Sequence, residues 1–148
     1  MLMGEKIDIE SPAVQSYLGI LQNVITRMAS NSTSCKTWCI TIVSAILVVV
    51  ANKSKPDYAL IALIPIILFT LLDSYYLGME RGFRDSYNSF IKKLHANNAT
   101  IEDIFIVSPG GGGKHITYMA VKSMLSFSIW LFYGVLAVML YATREWVL

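Results

Sequence analysis

Charged side chains are scarce in this chain of 148 residues, of which Asp, Glu, Lys and Arg make up 15%. Soluble globular domains carry about 25% charged residues, so an ordinary soluble core is excluded. Intrinsic disorder is excluded as well, because it requires low hydrophobicity and 55% of this chain is hydrophobic. A formal net charge of +2 is too small to indicate a nucleic-acid-binding protein by itself. The length allows one domain, or a membrane part with a small cytosolic annex.

Cysteines and catalytic motifs are also few. Cys35 and Cys39 stand at i, i+4, which supplies neither a disulfide framework nor a metal ligand set, and we interpret both as packing residues. The chain contains no G-x-S-x-G, no H-E-x-x-H and no Cys/His cluster. His95 and His115 have no neighbouring residues that would indicate a base or a metal ligand. We therefore predict no enzyme activity, no cofactor and no metal site.

Three long uncharged runs dominate the sequence: Thr37–Asn52, Tyr58–Leu72 and Ser123–Thr143. The third reaches the length of about 20 residues that a membrane-spanning helix needs. The first two are shorter but have uncharged flanks that extend them. Because only residues 53–57 separate them, the first two runs predict a helical hairpin. The sequence thus predicts an all-α integral membrane protein with three transmembrane helices.

The distribution of basic residues predicts the orientation of these helices. With a cytoplasmic N-terminus, nine Lys and Arg lie inside and three lie outside. The outer three are Lys53, Lys55 and Arg144. This excess matches the positive-inside rule and predicts that the N-terminus is inside and the C-terminus outside. The predicted segments are then a cytosolic N-terminal amphipathic helix within 1–36, the transmembrane hairpin at 37–78, a cytosolic helix and Gly-rich linker at 79–122, and the third span with an external tail at 123–148.

The segments outside the spans show helical periodicity. Ser11-Pro12 is typical of a helix start. An apolar stripe follows, consisting of Val14, Tyr17, Leu18, Leu21, Ile25 and Met28. The second span continues without a breaker to about Leu94, so we expect it to pair with the N-terminal helix as a helical stalk. Thr100 caps a short helix that we expect to run to about Phe105.

The glycine run between the stalk and the third span resembles a phosphate-binding loop only superficially. A P-loop has Gly six positions before its Lys and Ser or Thr after it. Around Lys114 those positions hold Ser108 and His115. We interpret residues 108–115 as a flexible linker.

Polar residues inside the spans predict close helix packing or a narrow pore. Thr37, Thr41 and Ser44 share one face of the first span, and Ser123, Ser126, Trp130 and Gly134 share one face of the third. Small and hydroxyl residues let helices pack closely in lipid, which is the favoured interpretation. Asp73 is an acid at membrane depth, either functional or paired with a neighbour such as Lys36. Three helices bury little surface alone, so we expect a cyclic homo-oligomer, with a tetramer favoured.

Basic residues near the membrane form the candidate ligand site: Arg81, Arg84, Lys92, Lys93 and Lys114. In one subunit they are explained by the positive-inside signal on a solvated helix. Repeated around a symmetry axis, they would form a cationic collar suited to phosphates.

Two segments resemble a known group of proteins. The run LLDSYYLGMERGFRDSY at 71–87 and the run SIWLFYG at 128–134, in this order of elements, are similar to the SLATT-type membrane effectors linked to nucleotidyltransferases in bacterial anti-phage operons, in particular to the three-span effectors of the Hailong system. The resemblance implies an oligomeric inner-membrane channel that depolarises the infected cell. It also implies gating by a nucleotide or short oligonucleotide from the partner enzyme, with single-stranded oligodeoxyadenylate DNA holding the channel closed.

Three alternatives remain open from the sequence. The chain could be an unregulated pore such as a holin or toxin, although about fifty residues between spans two and three exceed what a simple pore needs. It could be an adaptor subunit of a larger membrane complex. A proton-coupled transporter that uses Asp73 is disfavoured by the scarcity of other intramembrane acids.

Overall fold

The protein consists of four α-helices and two short 3₁₀ helices in a computed structural model that describes residues 10–53, 56–110 and 112–146. In chain order these are α1 (Pro12–Lys53), a 3₁₀ helix (Pro56–Ala62), α2 (Leu63–His95), a 3₁₀ turn (Ile101–Asp103), α3 (Gly112–Met124) and α4 (Phe127–Trp146). No β-strand occurs within these described ranges. The predicted all-α class is confirmed.

Three helical segments are long and apolar enough to cross a membrane: Pro12–Asn52, Asp57–His95 and Phe127–Glu145. In the most apolar 18-residue window of each segment, 22% or less of the residues are buried inside the protein. The apolar side chains therefore point mostly outward, as on a surface that faces lipid rather than water. The prediction of three helices that could span a membrane is therefore confirmed by the length and composition of these helices.

The N-terminal amphipathic helix and the first span are one continuous helix. We predicted a cytosolic helix within 1–36 and a span from residue 37, and the helix does not break between these two parts, because α1 runs from Pro12 to Lys53. The polar stretch between the two parts does not interrupt the helix. The hydroxyls of Thr33 and Thr37 bond to the carbonyls of Ala29 and Thr33, four residues earlier, so they are satisfied within the helix.

The first part of α1 packs against the last part of α2. We call this region the stalk, consisting of residues 12–28 of α1, residues 79–95 of α2 and the loop 96–110. Its buried core consists of Val14, Tyr17, Leu21, Met28, Phe83, Phe90, Leu94 and Ala99. The Tyr17 and Phe90 rings meet edge to face with centroids 4.9 Å apart. The predicted extension of the second span and its pairing with the N-terminal stripe are confirmed.

The end of α2 and the following turn have well-defined caps. Asn97 adopts a left-handed conformation with φ of 54°, and the N–H groups of Asn97 and Asn98 donate to the carbonyls of Leu94 and Lys93. This is the Schellman arrangement that closes a helix. The helix expected from Thr100 to about Phe105 is only the 3₁₀ turn, because Ile104 is already extended with a ψ of 144° and Phe105 has a φ of 66°.

The loop beyond this turn is fastened to α1 by Tyr17. Its hydroxyl donates to the carbonyl oxygen of Ile106 at 2.8 Å. We expect Tyr17→Phe to lose about 1 kcal/mol of stability, since a partly buried carbonyl then lacks its donor. Hydrogen exchange of the amides at 104–108 should accelerate while the amides of α4 stay protected. Unchanged exchange at 104–108 would contradict the assigned role.

The chain returns to the spans along glycines of α2. The hydroxyl of Ser86 donates to the carbonyl of Ser108, and the Gly110 N–H donates to the Gly82 carbonyl. At Gly78, an added Cβ would meet the backbone N and Cα of Ala120 at 2.7 and 2.8 Å. Helix α3 can therefore lie directly on the α2 backbone, as in small-residue helix contacts of membrane proteins.

The flexible linker expected at 108–115 is wrong over its last residues. Helix α3 already begins at Gly112, and it packs against α2. The chain leaves helical conformation at Leu125 and Ser126. We expected the third span to start at Ser123. It starts instead at Phe127.

The spans pack around α2. Their buried residues come from α1, the first 3₁₀ helix, α2 and α4: Cys39, Val43, Val50, Ala59, Ala62, Ile66, Ile129, Tyr133 and Leu140. Cys35 and Cys39 are both buried and unbridged, so they are packing residues as predicted. At the end opposite to the stalk, Arg144 and Asp57 form an ion pair at 2.9 Å. This pair fastens the end of α4 to the turn of the hairpin.

Candidate functional site

A buried ion pair joins α1 and α2 where the stalk meets the spans. The Asp73 carboxylate is fully buried, accepts a hydrogen bond from the Ser32 hydroxyl and pairs with the ammonium of Lys36. The Lys36 side chain is 21% exposed and also reaches the Ser32 oxygen at 3.3 Å. Of the two interpretations of Asp73, the structure therefore shows the one in which Lys36 pairs with it. A charge at this depth is tolerated because it is paired and hydrogen-bonded.

Arg81 joins α2 to the junction between α3 and α4. Its guanidinium donates to the hydroxyls of Ser123 and Ser126 at 3.2 and 3.1 Å. Ser123 is fully buried. Arg81 thus holds the start of the third span in position, and Ser126 is one of its two acceptors. Arg81 belongs to the predicted ligand site, but its contacts hold helices together.

Arg84 lies on an open polar groove between α1 and α2. Its Nε donates to the Glu80 carboxylate at 2.8 Å, and its side chain is 61% exposed. The groove has a volume of about 380 Å³ and is lined by Gln22, Ile25, Thr26, Arg84, Tyr87 and Asn88. We call it the Arg84 groove. The Gln22 amide donates to the Tyr87 hydroxyl at 3.3 Å across the groove. It combines a cation, two amides, a hydroxyl and an aromatic ring.

The remaining basic candidates lie elsewhere. Lys93 pairs with Asp103 at 2.7 Å and lines a smaller cavity of about 230 Å³ on the other side of the stalk, together with Tyr17 and Ser86. Lys92 is exposed on α2 and lines neither cavity. The side chain of Lys114 lies outside the described part of the structure. A single chain therefore does not bring the five predicted basic residues into one site.

The four polar groove partners of Arg84 were not among the predicted site residues. The available signal was their spacing. Gln22 and Thr26 stand at i, i+4 on the polar side of α1, and Arg84, Tyr87 and Asn88 stand at i, i+3, i+4 on α2. Once α1 and α2 are known to pair, these polar faces must lie beside each other.

Four of the predicted pore or packing residues of the spans point outward in the single chain, whereas Ser126 bonds to Arg81 and Asp73 is buried. Thr37, Thr41 and Ser44 are exposed, and the hydroxyls of both threonines bond to carbonyls four residues earlier. Trp130 is 64% exposed. These residues do not line a channel within one chain, so a pore along this face requires several copies.

Asp103 provides a pH-dependent test of the loop structure. The hydrogen bond from Lys93, followed by smaller contributions that include the bond from the Thr100 N–H, holds the pKa of Asp103 below its ordinary value. A carboxyl with a lowered pKa stabilises the folded state above its ordinary pKa of about 4 and loses this contribution as the pH falls through the lowered value. We expect Lys93→Gln to raise the pKa of Asp103 in an NMR titration. An unchanged titration curve would contradict the assigned pairing.

The comparisons with known proteins leave the site to be interpreted from its own geometry. No family model matches the sequence, and no curated protein and no solved structure shows significant similarity to it.

Proposed function

We propose that the protein is an oligomeric membrane channel effector of a bacterial anti-phage defence system, gated by a nucleotide or short oligonucleotide that binds the stalk. Ion flow through the open channel depolarises the inner membrane. The stalk lies in the cytoplasm, in line with the excess of Lys and Arg on that side. The ligand comes from a partner nucleotidyltransferase, with oligodeoxyadenylate DNA as one form.

The continuity of α1 and α2 is the observation that carries this proposal. Both helices run without interruption from the stalk into the apolar spans. The Arg84 groove lies between these two helices. A ligand that changes the distance or angle between them in the stalk therefore moves the same helices inside the membrane. A helix pair that a ligand shifts in this way gives a cytosolic ligand direct control of a pore.

The chemistry of the Arg84 groove suits a nucleotide. An arginine guanidinium carries five N–H donors and binds phosphate oxygens in a forked geometry. The amides of Gln22 and Asn88 are the type of group that pairs with the edges of bases, and the Tyr87 ring offers a stacking surface. Glu80 already holds Arg84 Nε, which fixes the orientation of the guanidinium. This arrangement provides both phosphate and base contacts within one groove.

A pore in this proposal requires several copies of the chain. Thr37, Thr41 and Ser44 form an outward hydroxyl stripe on α1. Around a symmetry axis this stripe would face the centre and line a narrow, uncharged passage. We propose a homo-oligomer with cyclic symmetry, and a tetramer is the favoured size.

Charge reversal tests the ligand site. We expect Arg84→Glu to weaken binding of a fluorescein-labelled single-stranded oligodeoxyadenylate by about tenfold or more, measured by anisotropy on purified protein. Lys92→Glu is the matched control, because it makes the same charge change on the same helix outside the groove. It should weaken binding by only about two- to threefold through long-range charge. Equal losses in both variants would indicate diffuse attraction and would contradict a site at Arg84.

A further inference from the structure

An apolar groove runs along the spans between α1 and α4. Both helices pack on α2 and leave a space of about 470 Å³ between them. The lining residues are Lys36 and Ile40 on α1, and Ser128, Leu131, Phe132, Val135, Leu136 and Met139 on α4. We call this space the α1–α4 groove. Its walls are apolar except at one end, where Lys36 and Ser128 stand.

The length of the groove corresponds to one leaflet of a bilayer. From Ser128 to Met139 the helix rises by about 17 Å at 1.5 Å per residue. The hydrocarbon core of a bilayer is about 30 Å thick, so one leaflet contributes about 15 Å. The groove begins at the stalk end of the spans and ends near their middle. These dimensions fit a single lipid acyl chain.

The polar end of the groove is positively charged where it is accessible. Lys36 is 21% exposed, whereas the Asp73 carboxylate that pairs with it is fully buried. Arg81 reaches Ser126, two residues before Ser128 at the groove end. Lys36 and Arg81 are partly accessible at this level, whereas the carboxylate of Asp73 is hidden. An anionic group at membrane-surface depth is the complement of this end.

The spans of a second copy of the chain offer no anionic group to complement the polar end of the α1–α4 groove. Within its three uncharged runs the sequence has no Asp or Glu, and the acids that border them are Asp57 and Asp73. Asp57 is paired with Arg144 at the opposite end, and Asp73 is buried beside Lys36. The phosphate of a lipid supplies at this level the negative charge that another protein helix lacks.

We propose that the α1–α4 groove binds one anionic phospholipid, with an acyl chain along the α4 wall and the phosphate at Lys36 and Ser128. This site is separate from the Arg84 groove and does not depend on nucleotide gating. It requires only that the three helices lie in a bilayer. The lipid fills a space between two helices that would otherwise contact each other little.

Native mass spectrometry of the detergent-solubilised protein with added lipid tests the proposal. We expect one phosphatidylglycerol to remain on each wild-type chain, with about fivefold preference over phosphatidylcholine. Val135→Trp places an indole in the groove and should remove the bound lipid. Val138→Trp is the matched control, since Val138 is 68% exposed on the same helix but does not line the groove. It should retain the lipid.

Two kinds of outcome would overturn the site. The first is equal retention of phosphatidylglycerol in both tryptophan variants, or equal retention of the two lipids by the wild type. The second is a change of oligomeric state in Val135→Trp alone, without any lipid bound to the wild type, which would make the groove a contact between copies of the chain. Circular dichroism and the elution volume of Val135→Trp verify that this variant folds like the control.

Discussion

Replacing Lys36 with Met lowers the stability of the protein by about 3–5 kcal/mol in this account, the largest effect that we expect from a single substitution. The change keeps most of the apolar stem of the side chain but removes the ammonium that neutralises Asp73. The carboxylate is fully buried and then keeps its hydrogen bond from the Ser32 hydroxyl but loses the neutralising charge of Lys36. Unfolding by added SDS in mixed micelles, followed by far-UV circular dichroism, measures the loss.

The double variant Lys36→Met/Asp73→Asn separates charge from packing. An amide at position 73 is neutral and can still bond with Ser32, so the double variant should recover most of the lost stability. If the double variant is as unstable as Lys36→Met, then the uncompensated charge is not the cause. A loss below about 1 kcal/mol in Lys36→Met would place the pair in a hydrated environment.

The second large effect is expected at Gly78, where Ala should destabilise the protein by about 1–3 kcal/mol. Its Cβ would meet the backbone N and Cα of Ala120 at 2.7 and 2.8 Å, and backbone atoms cannot move aside as a flexible side chain can. Helix α3 must then shift away from α2. This shift weakens the bonds from Arg81 to Ser123 and Ser126. The same SDS titration measures the change in stability.

Gly19→Ala is the matched control for Gly78→Ala. It makes the same substitution in a helix, but an added Cβ at Gly19 meets no atom within 4 Å. Alanine is the better helix former by about 0.5–1 kcal/mol, so Gly19→Ala should stabilise the protein. The two substitutions are therefore expected to have opposite signs. A neutral or stabilising Gly78→Ala would contradict the close contact between α2 and α3.

The sequence was sufficient to predict the spans and the stalk because both depend on local patterns. Runs without charge identify spans, and the stripe from Val14 to Met28 identifies the packed face of α1. The continuity of α1 was missed because a polar stretch resembles a boundary, although threonine hydroxyls can be satisfied within the helix. Helix α3 was missed because a glycine-rich start does not predict a helix, whereas the packing of Ala120 on Gly78 and of Pro109 on Gly82 is a tertiary effect.

The candidate site was harder to predict for a related reason. Sequence reasoning identified basic residues near the membrane, but charge alone could not assign their different partners. Arg81 is held by two serines that lie more than forty positions away, and Lys93 is paired with Asp103. Arg84 lies on a groove that α1 lines with Gln22, Ile25 and Thr26, and these residues become neighbours of Arg84 only when the stalk forms. The partners of these basic residues therefore depend on how distant segments of the chain pack together, which local sequence patterns do not predict.

Ion efflux from liposomes that contain the purified protein tests the proposed function most directly. A short single-stranded oligodeoxyadenylate is added on the stalk side, and release of K⁺ is recorded. We predict that the wild type releases K⁺, that the oligonucleotide changes this release, and that Arg84→Glu releases K⁺ but no longer responds. Lys92→Glu should respond like the wild type. Release that no nucleotide alters would contradict gating and indicate an unregulated pore, and absence of release under all conditions would contradict the channel itself.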